Sequence, residues 1–406
     1  MQLGWIDFSK EDRDKVHDVM NLLQEQGAVD ELGIGLVRDA FANYFFPGTS
    51  TVQTRAKYFL IVPYVLKEAA DGKYGSNLST VLKRIDDAER DCGKRLYAKH
   101  NGSSNIGIIG ARVLPRGWVA RRPSSIYWNS IRTYGIFAQD DMSITEMVKL
   151  SIFLRKQENS MKLGNRKDDA EDGDKDDKNA GKEYAGRFFE LPENHSEDWR
   201  ENLSIELTAE EAVFLRGRIE HSVPGTLITY LLKNNIDLTK YDSFEVLYEE
   251  LQERVPEEMA HMMKLACDFN RIVYAARVRY NMILSDGMNP DANEAWNWIC
   301  ENISRITAID LEDVFQSLSI VNFKLRRFLA SMIAALKGKK FELLDEIIIK
   351  REIELKTRSR AKLLHKEDYD PNKWVGGGWL DYRFSDAKQI ILDIYQGEEG
   401  IHVSNE

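Results

Sequence analysis

Cysteine is scarce in this chain, and apolar runs of membrane-spanning length are missing. The three cysteines, Cys92, Cys267 and Cys300, lie far apart, which argues against a disulfide framework and against a CxxC zinc site. The nearly unbroken apolar stretch from Tyr58 to Leu66 is too short to cross a bilayer and contains Pro63. The first residues lack the basic and apolar regions of a signal peptide. We therefore expect a cytoplasmic protein without membrane contact.

The signatures of common catalytic sites are also missing. The sequence contains no GxxxxGKS/T phosphate-binding loop, no GxSxG nucleophile motif, no HExxH zinc motif and no HxK pair. Its seven histidines are scattered without the spacing of metal ligands. The residues therefore predict no cofactor and no metal, and they favour a protein that is not an enzyme.

Charge is distributed unevenly along the chain. The formal net charge of −10 argues against a protein that coats nucleic acid with its whole surface. Residues 92–139 nevertheless hold eight basic residues and no acidic one, and residues 168–183 are strongly acidic. Local charge is therefore a better guide to partners than the total.

Hydrophobic periodicity predicts a mainly α-helical protein with few short strands. A multi-helix N-terminal domain is expected over residues 1–156, with a basic and aromatic region and a helix-turn-helix-like element. Residues 157–202 are charged and include a glycine-dotted stretch with almost no apolar residues, which predicts a largely disordered insert or linker. An all-α C-terminal domain is expected over residues 203–406.

The stretch from Phe46 to Glu68 has the clearest local pattern. A Pro47-Gly48 turn and a capping box from Ser50 to Gln53 predict a helix start. The apolar segment that follows predicts that this helix is buried. Arg55 and Lys57 stand at its polar head, and we interpret them as candidate contacts for a partner protein or a phosphate group.

A basic and aromatic region extends from Arg112 to Tyr134. Arginine side chains can bind phosphate, and aromatic rings can stack on bases. An Arg-Arg-Pro-Ser-Ser segment leads into a predicted helix over residues 126–134, as in the second helix of a helix-turn-helix. The predicted nucleic-acid-binding residues of this region are Arg112, Arg116, Arg121, Arg122, Trp128 and Arg132.

The aromatic residues of this region also have a purely structural interpretation. Tyr127, Ile131 and Tyr134 are spaced i, i+4, i+7, which is typical of the buried face of a helix. The arginines are harder to explain in this way, because no acidic residue lies near them in sequence.

A second basic patch lies near the C-terminal end of a predicted long helix over residues 341–364. Glu/Lys pairs at i,i+4 account for the cations in its first half. Arg358, Arg360 and Lys362 have no obvious partner close in sequence, so they are further candidates for nucleic-acid contact.

Two patterns leave an enzymatic alternative open. Arg216 and His221 have the Arg-x4-His spacing that resembles the motif of helical HEPN ribonucleases, in which His acts as general acid or base and Arg stabilises the phosphate charge. Glu354 and Lys356, with Asp345 upstream, match part of a metal-dependent nuclease motif. That motif normally lies at the edge of a strand, whereas this segment is predicted to be a charged helix.

Several sequence blocks resemble those of a bacterial family of unknown function. The blocks are LGWIDFS (3–9), ELGIGLVRDAF (31–41), FPGTSTVQTRAKYFLIVPY (46–64), RPSSIYWNSIRTYGIF (122–137), RAKL (360–363) and WVGGGWLDYRF (374–384). Genes of that family lie beside helicase and phospholipase-D-type genes in phage-defence neighbourhoods. The resemblance implies a defence role, a helicase or phospholipase-D-type nuclease as partner, and DNA as ligand. It transfers no catalytic residue.

The resulting hypothesis is a non-enzymatic accessory subunit of a bacterial anti-phage defence system, which binds nucleic acid, a helicase–nuclease partner, or both. The first alternative is a nuclease, either HEPN-like or metal-dependent. The second is a scaffold that makes no contact with nucleic acid.

Overall fold

The computed structural model of this protein describes residues 30–139, 141–164 and 188–404. Most of these residues are helical, which confirms the prediction of a mainly α-helical protein. Phe137 and Phe189 form an isolated antiparallel bridge. The sequence block at residues 3–9 lies outside the described residues.

The helices are numbered here in chain order. They are α1 Gly35–Phe45, α2 Tyr58–Ala70, α3 Leu78–Lys99, α4 Pro123–Thr133, α5 Ile144–Gly164, α6 Ala209–Ser222, α7 Leu227–Lys233, α8 Phe244–Leu251, α9 Glu257–Leu284, α10 Pro290–Glu301, α11 Ile303–Ile306, α12 Leu311–Ser317, α13 Phe323–Lys337, α14 Phe341–Lys356 and α15 Phe384–Ser404. Short 3₁₀ helices occur at Leu238–Lys240, Lys362–Leu364 and Lys366–Asp368. Within the described ranges, no helix is long and apolar enough to cross a membrane.

The chain forms two compact units, and each is built from separated segments. Unit 1 comprises Met1–Phe41 and Phe244–Tyr382, and unit 2 comprises Ala42–Ser243 and Arg383–Glu406. This division differs from the predicted succession of domains over residues 1–156 and 203–406. Composition changes mark points along the chain, whereas the units arise from contacts between segments that are far apart in sequence.

The predicted linker, residues 157–202, is partly ordered. Its first residues continue α5 to Gly164. Beyond the gap, Phe188 and Phe189 are buried, and Arg200 donates a hydrogen bond of 2.6 Å to Glu68. A few aromatic and ion-pairing residues are thus enough to fix a stretch whose average composition is charged. Residues 165–187 of the predicted insert lie outside the described residues.

Helix α2 is the buried centre of unit 2. Every residue from Tyr58 to Leu66 is buried, as predicted, and the helix contacts α3, α4 and α5. It begins at Tyr58, however, and the Ser50 to Gln53 segment forms a turn rather than the predicted helix start. The Ser50 N–H donates to Gln53 Oε1 at 3.1 Å, while the Gln53 amide donates to Ser130 Oγ at 2.5 Å. Because Gln53 is bonded to a residue of α4, its side chain anchors a loop instead of capping a helix.

Besides α2, each unit contains a further group of closely packed helices. In unit 2, α15 packs against α6, whose start is fixed by a capping box between Thr208 and Glu211. In unit 1, the long helix α9 contacts α8, α10, α12 and α14, and α13 packs against α14. Both groups are helix-on-helix, as expected where amphipathic helices bury one face each.

Candidate nucleic-acid interface

The arginine loop, defined as residues 110–122, leads into α4 in unit 2. Leu114 is buried, and Trp118 Nε1 donates to Asp86 Oδ1 of α3 at 3.2 Å. The ring of Trp118 lies so close to α3 that a Cβ at Gly93 would come within 2.9 Å of it. These contacts hold the loop against α3 while its polar side chains face outward.

Three arginines of the loop, Arg112, Arg116 and Arg121, are exposed. Across the residues that the structure describes, none of them forms an ion pair with an acidic side chain. Arg122 differs, because it lies 3.6 Å from Asp86 Oδ1. Arg132 of α4 also differs, because it lies 3.4 Å from Asp141 Oδ1. The predicted set thus divides into free arginines and arginines with a partner in another segment.

Helix α4 is fixed by its buried face. Tyr127, Ile131 and Tyr134 are all buried, which confirms their interpretation as core residues. At the start of the helix, the Ser124 N–H donates to Glu89 Oε1 at 2.7 Å, and the Ser124 hydroxyl donates to Glu89 Oε2 at 3.2 Å. Burial raises the pKa of Glu89 to about 7, although both hydrogen bonds oppose that shift.

The surroundings of α4 do not match a helix-turn-helix. Residues 100–122 separate α3 from α4, whereas a helix-turn-helix joins its helices by a turn of about three or four residues. Trp128 is also engaged within the fold. Its Nε1 donates to the Met142 carbonyl at 3.2 Å, and its ring centroid lies 4.7 Å from that of Phe137. We attribute Trp128 to packing and leave it out of the candidate interface.

Arg55 and Lys57, the predicted partner or phosphate contacts, are paired inside unit 2. Arg55 Nε lies 2.9 Å from Asp393 Oδ2, and Lys57 Nζ lies 2.5 Å from Glu211 Oε2. Lys57 is 5% exposed and Asp393 is 3% exposed. An external phosphate would have to break these ion pairs. Both cations therefore stabilise contacts within unit 2. The sequence could not indicate this, since the acids lie far along the chain.

The second basic patch, in unit 1, also separates into free and bound cations. Arg358 and Arg360 are exposed and have no ion pair within the described ranges. Lys362 lies 2.9 Å from Glu31 Oε1 and is therefore held in place. Only the two arginines remain as candidate contacts from this patch.

The HEPN-like pair is not assembled as a site. Arg216 lies 2.5 Å from Glu398 Oε2 and also donates to the Leu232 carbonyl at 2.6 Å. His221 is exposed at the end of α6. The guanidinium that should stabilise a phosphate charge is thus occupied by a carboxylate of α15.

The metal-dependent nuclease pattern is likewise divided among ion pairs in unit 1. Asp345 Oδ1 lies 2.5 Å from Arg279 Nε, and Lys356 Nζ lies 3.3 Å from Glu31 Oε1. Glu354 is exposed on the helix α14. Within the described part of the chain, no group of three or more His, Cys, Asp or Glu side chains is placed to hold a metal ion.

Sequence reasoning missed one cationic segment. Residues 314–341 contain six basic residues and no acidic one, and they include all of α13. The count that identified residues 92–139 would have found this segment too. It was overlooked because its cations are embedded in an ordinary amphipathic helix pattern.

The fold and these surfaces define a mainly helical protein. Within its described residues, exposed cations without an ion pair lie in the arginine loop, at Arg358 and Arg360, and in the segment 314–341. Residues 1–165 match the model of a family of unknown function (DUF6361). That range contains the blocks at 3–9, 31–41, 46–64 and 122–137, whereas those at 360–363 and 374–384 lie beyond it. No curated protein and no solved structure matches the chain.

Proposed function

We propose that this protein is a non-enzymatic accessory subunit of a bacterial anti-phage defence system and binds nucleic acid through the arginine loop. One observation carries the proposal: Arg112, Arg116 and Arg121 are exposed, form no ion pair with any described residue, and lie on a loop that is held against α3. Guanidinium groups match phosphate geometry, and their binding to phosphate releases counterions. A fixed loop also loses little conformational freedom on binding.

The defence setting rests on the sequence blocks that resemble the family of unknown function. In that setting the partner is a helicase, a phospholipase-D-type nuclease, or both, encoded in the same operon, and the nucleic acid is DNA. Arg358 and Arg360 are additional candidate contacts, because they are exposed and form no ion pair with the part of unit 1 that the structure describes.

The nuclease alternatives lose support from the ion pairs of their key residues. Arg216 forms an ion pair with Glu398, and Asp345 forms an ion pair with Arg279. A catalytic role for either pattern would first require these pairs to break. The scaffold alternative is kept as an outcome of the experiment below.

The test measures binding of the purified full-length protein to fluorescein-labelled DNA by fluorescence anisotropy, at about 50 and about 200 mM salt. The test variant combines Arg112→Glu, Arg116→Glu and Arg121→Glu. We expect its affinity to fall by at least about tenfold and its salt dependence to weaken by about two to three phosphate contacts.

A matched control carries the same change in charge on other exposed lysines of unit 2, Lys149→Glu, Lys156→Glu and Lys233→Glu. We expect its affinity to stay within about twofold of the wild type, because none of these lysines lies in the arginine loop and salt screens exposed charges outside the contact. Equal losses in both variants would show a general charge effect and refute the assignment. If the wild-type protein does not bind DNA but co-elutes with the operon's helicase, the result would support the scaffold alternative.

A further inference from the structure

Helix α13 of unit 1 has one buried face and one solvent-exposed face. Its buried residues are Leu325, Phe328, Leu329, Met332, Ala335 and Leu336. The opposite stripe is exposed along the whole helix and consists of Phe323, Arg327, Ala330, Ala334 and Lys337. Their spacing of four and three residues places them on a single face of the helix.

All charged side chains of the segment 314–341, which contains α13, are basic. The basic residues of the segment 314–341 are Lys324, Arg326, Arg327, Lys337, Lys339 and Lys340. Arg326 pairs with Glu312 of α12. The other five are exposed, and none of them forms an ion pair within the part of the chain that the structure describes. In a chain with a net charge of −10, such a cluster calls for an anionic partner.

Two apolar side chains project at the start of the same helix. Val321 is 81% exposed and Phe323 is 76% exposed, the two highest values among the large hydrophobic residues of the described chain. Exposed apolar groups beside unpaired cations are typical of a surface that makes contact with a partner. On DNA, apolar side chains contact the thymine methyl group in the major groove.

The dimensions of α13 suit a duplex. The helix has 15 residues, so it is about 22 Å long, and a major groove about 12 Å wide admits an α-helix. Lys324 and Lys337 near its two ends can therefore reach the phosphates that border the groove. Ala330 and Ala334 in the middle have short side chains, which permit close approach to the base edges.

We infer that the exposed face of α13 binds double-stranded DNA in its major groove. The inference rests on the proposed function, that the protein binds nucleic acid, and names a second contact surface and a duplex ligand. Positive charge on every titratable group of the exposed face favours a nucleic acid, whose phosphates carry a regular negative charge.

The experiment uses the full-length protein with a labelled DNA duplex of about 20 base pairs and the matching single strand, again at two salt concentrations. The first variant combines Lys324→Glu and Arg327→Glu. Its duplex affinity is expected to fall by at least about tenfold, with a salt dependence weaker by about two contacts. The control combines Lys350→Glu and Lys373→Glu, two exposed lysines of unit 1, and its affinity should stay within about twofold.

A second variant, Ala330→Trp, adds bulk to the exposed face without changing the charge. Because Ala330 is exposed, the thermal unfolding midpoint should not change. Duplex binding should nevertheless weaken by about tenfold, because the indole ring would block the close approach of α13 to the base edges in the major groove. Single-strand binding should change less than duplex binding in both variants.

The outcomes separate this inference from the proposed function. A loss in the arginine-loop variant, with full duplex binding by both α13 variants, would overturn the inference alone. A loss in the α13 variants, with full binding by the arginine-loop variant, would support α13 and refute the arginine loop. Equal effects on duplex and single strand would reject the duplex assignment. Unchanged DNA binding together with lost co-elution of the helicase would show that the face binds a protein, which also overturns the inference.

Discussion

The cations at the head of α2 and those of the arginine loop look alike in sequence but differ in the fold. Arg55 and Lys57 are paired with the carboxylates of Asp393 and Glu211. The arginines at 112, 116 and 121 are exposed and have no acidic partner among the described residues. Burying a charge is costly unless a partner compensates it, so a buried cation reveals its role through its partner. An exposed cation needs none, so a cluster of them without acids indicates a ligand. Pairing, rather than residue type, separates the structural cations from the candidate binding cations here.

The largest expected effect is on stability at the head of α2. Lys57→Ala leaves Glu211 buried without its cation, which should lower the free energy of unfolding by about 3–5 kcal/mol. Urea denaturation of the purified variant measures this loss. The double variant Lys57→Met with Glu211→Leu should be less destabilised than Lys57→Ala, because it removes both charges. A loss below about 1 kcal/mol in Lys57→Ala would mean that water or another group compensates Glu211.

A second effect concerns acid stability. Burial alone would raise the pKa of Glu68, but hydrogen bonds from Arg200, Tyr74 and Lys73 outweigh it and lower this pKa to about 2. The contribution of Glu68 to stability is therefore present above its ordinary pKa of 4.5 and is lost as the pH falls towards 2. Urea denaturation over this pH range should show a steeper loss for the wild type than for Glu68→Gln. Parallel curves for the two proteins would contradict the assignment.

A third effect also depends on pH but has the opposite sign. Because burial raises the pKa of Glu89 to about 7 from 4.5, the folded protein holds this proton more tightly than the unfolded chain. The resulting stability is present below pH 4.5 and is lost as the pH rises through 7. Glu89→Gln keeps an oxygen acceptor for Ser124 but cannot titrate, so it should remove this slope. A slope that persists in the variant would assign it to another group.

The smallest expected effect is on the stability of the arginine-loop variants. Arg112→Ala, Arg116→Ala and Arg121→Ala should each change the free energy of unfolding by no more than about 0.5 kcal/mol, as for other exposed side chains. The same denaturation measurement serves as the check. A larger loss would show that the arginine concerned contributes to the fold and would weaken its assignment to a ligand.

Local sequence signals predicted a good part of this fold. Ser143 to Glu146 has the Ser-x-x-Glu pattern of a capping box. The structure contains this box, since the Ser143 N–H donates to Glu146 Oε2 at 2.8 Å and the Glu146 N–H donates to Ser143 Oγ at 3.2 Å. The buried spacing of the α4 residues was also predicted. Both depend on residues three to seven positions apart, which share a face of a helix.

Signals that depend on distant residues could not be predicted. Gln53 is bonded to Ser130, 77 positions later, and this contact turns an apparent helix start into a loop. Arg55 donates a hydrogen bond to Asp393, which lies 338 positions later in the sequence. The α13 face was predictable in charge but not in exposure, because its amphipathic pattern does not show which face another helix covers.

The pairing of Arg55 with Asp393 has a consequence for the synthesis of the protein. As the chain emerges from the ribosome, α2 is released long before α15, whose Asp393 lies 338 positions after Arg55. Lys57 can pair with Glu211 earlier, but until α15 emerges Arg55 lacks its acid and unit 2 is incomplete. Residues 1–165, the range matched by the family model, end before both Glu211 and Asp393. A fragment of that length should therefore be handled as an incomplete fold, and expression trials should keep residues 383–404.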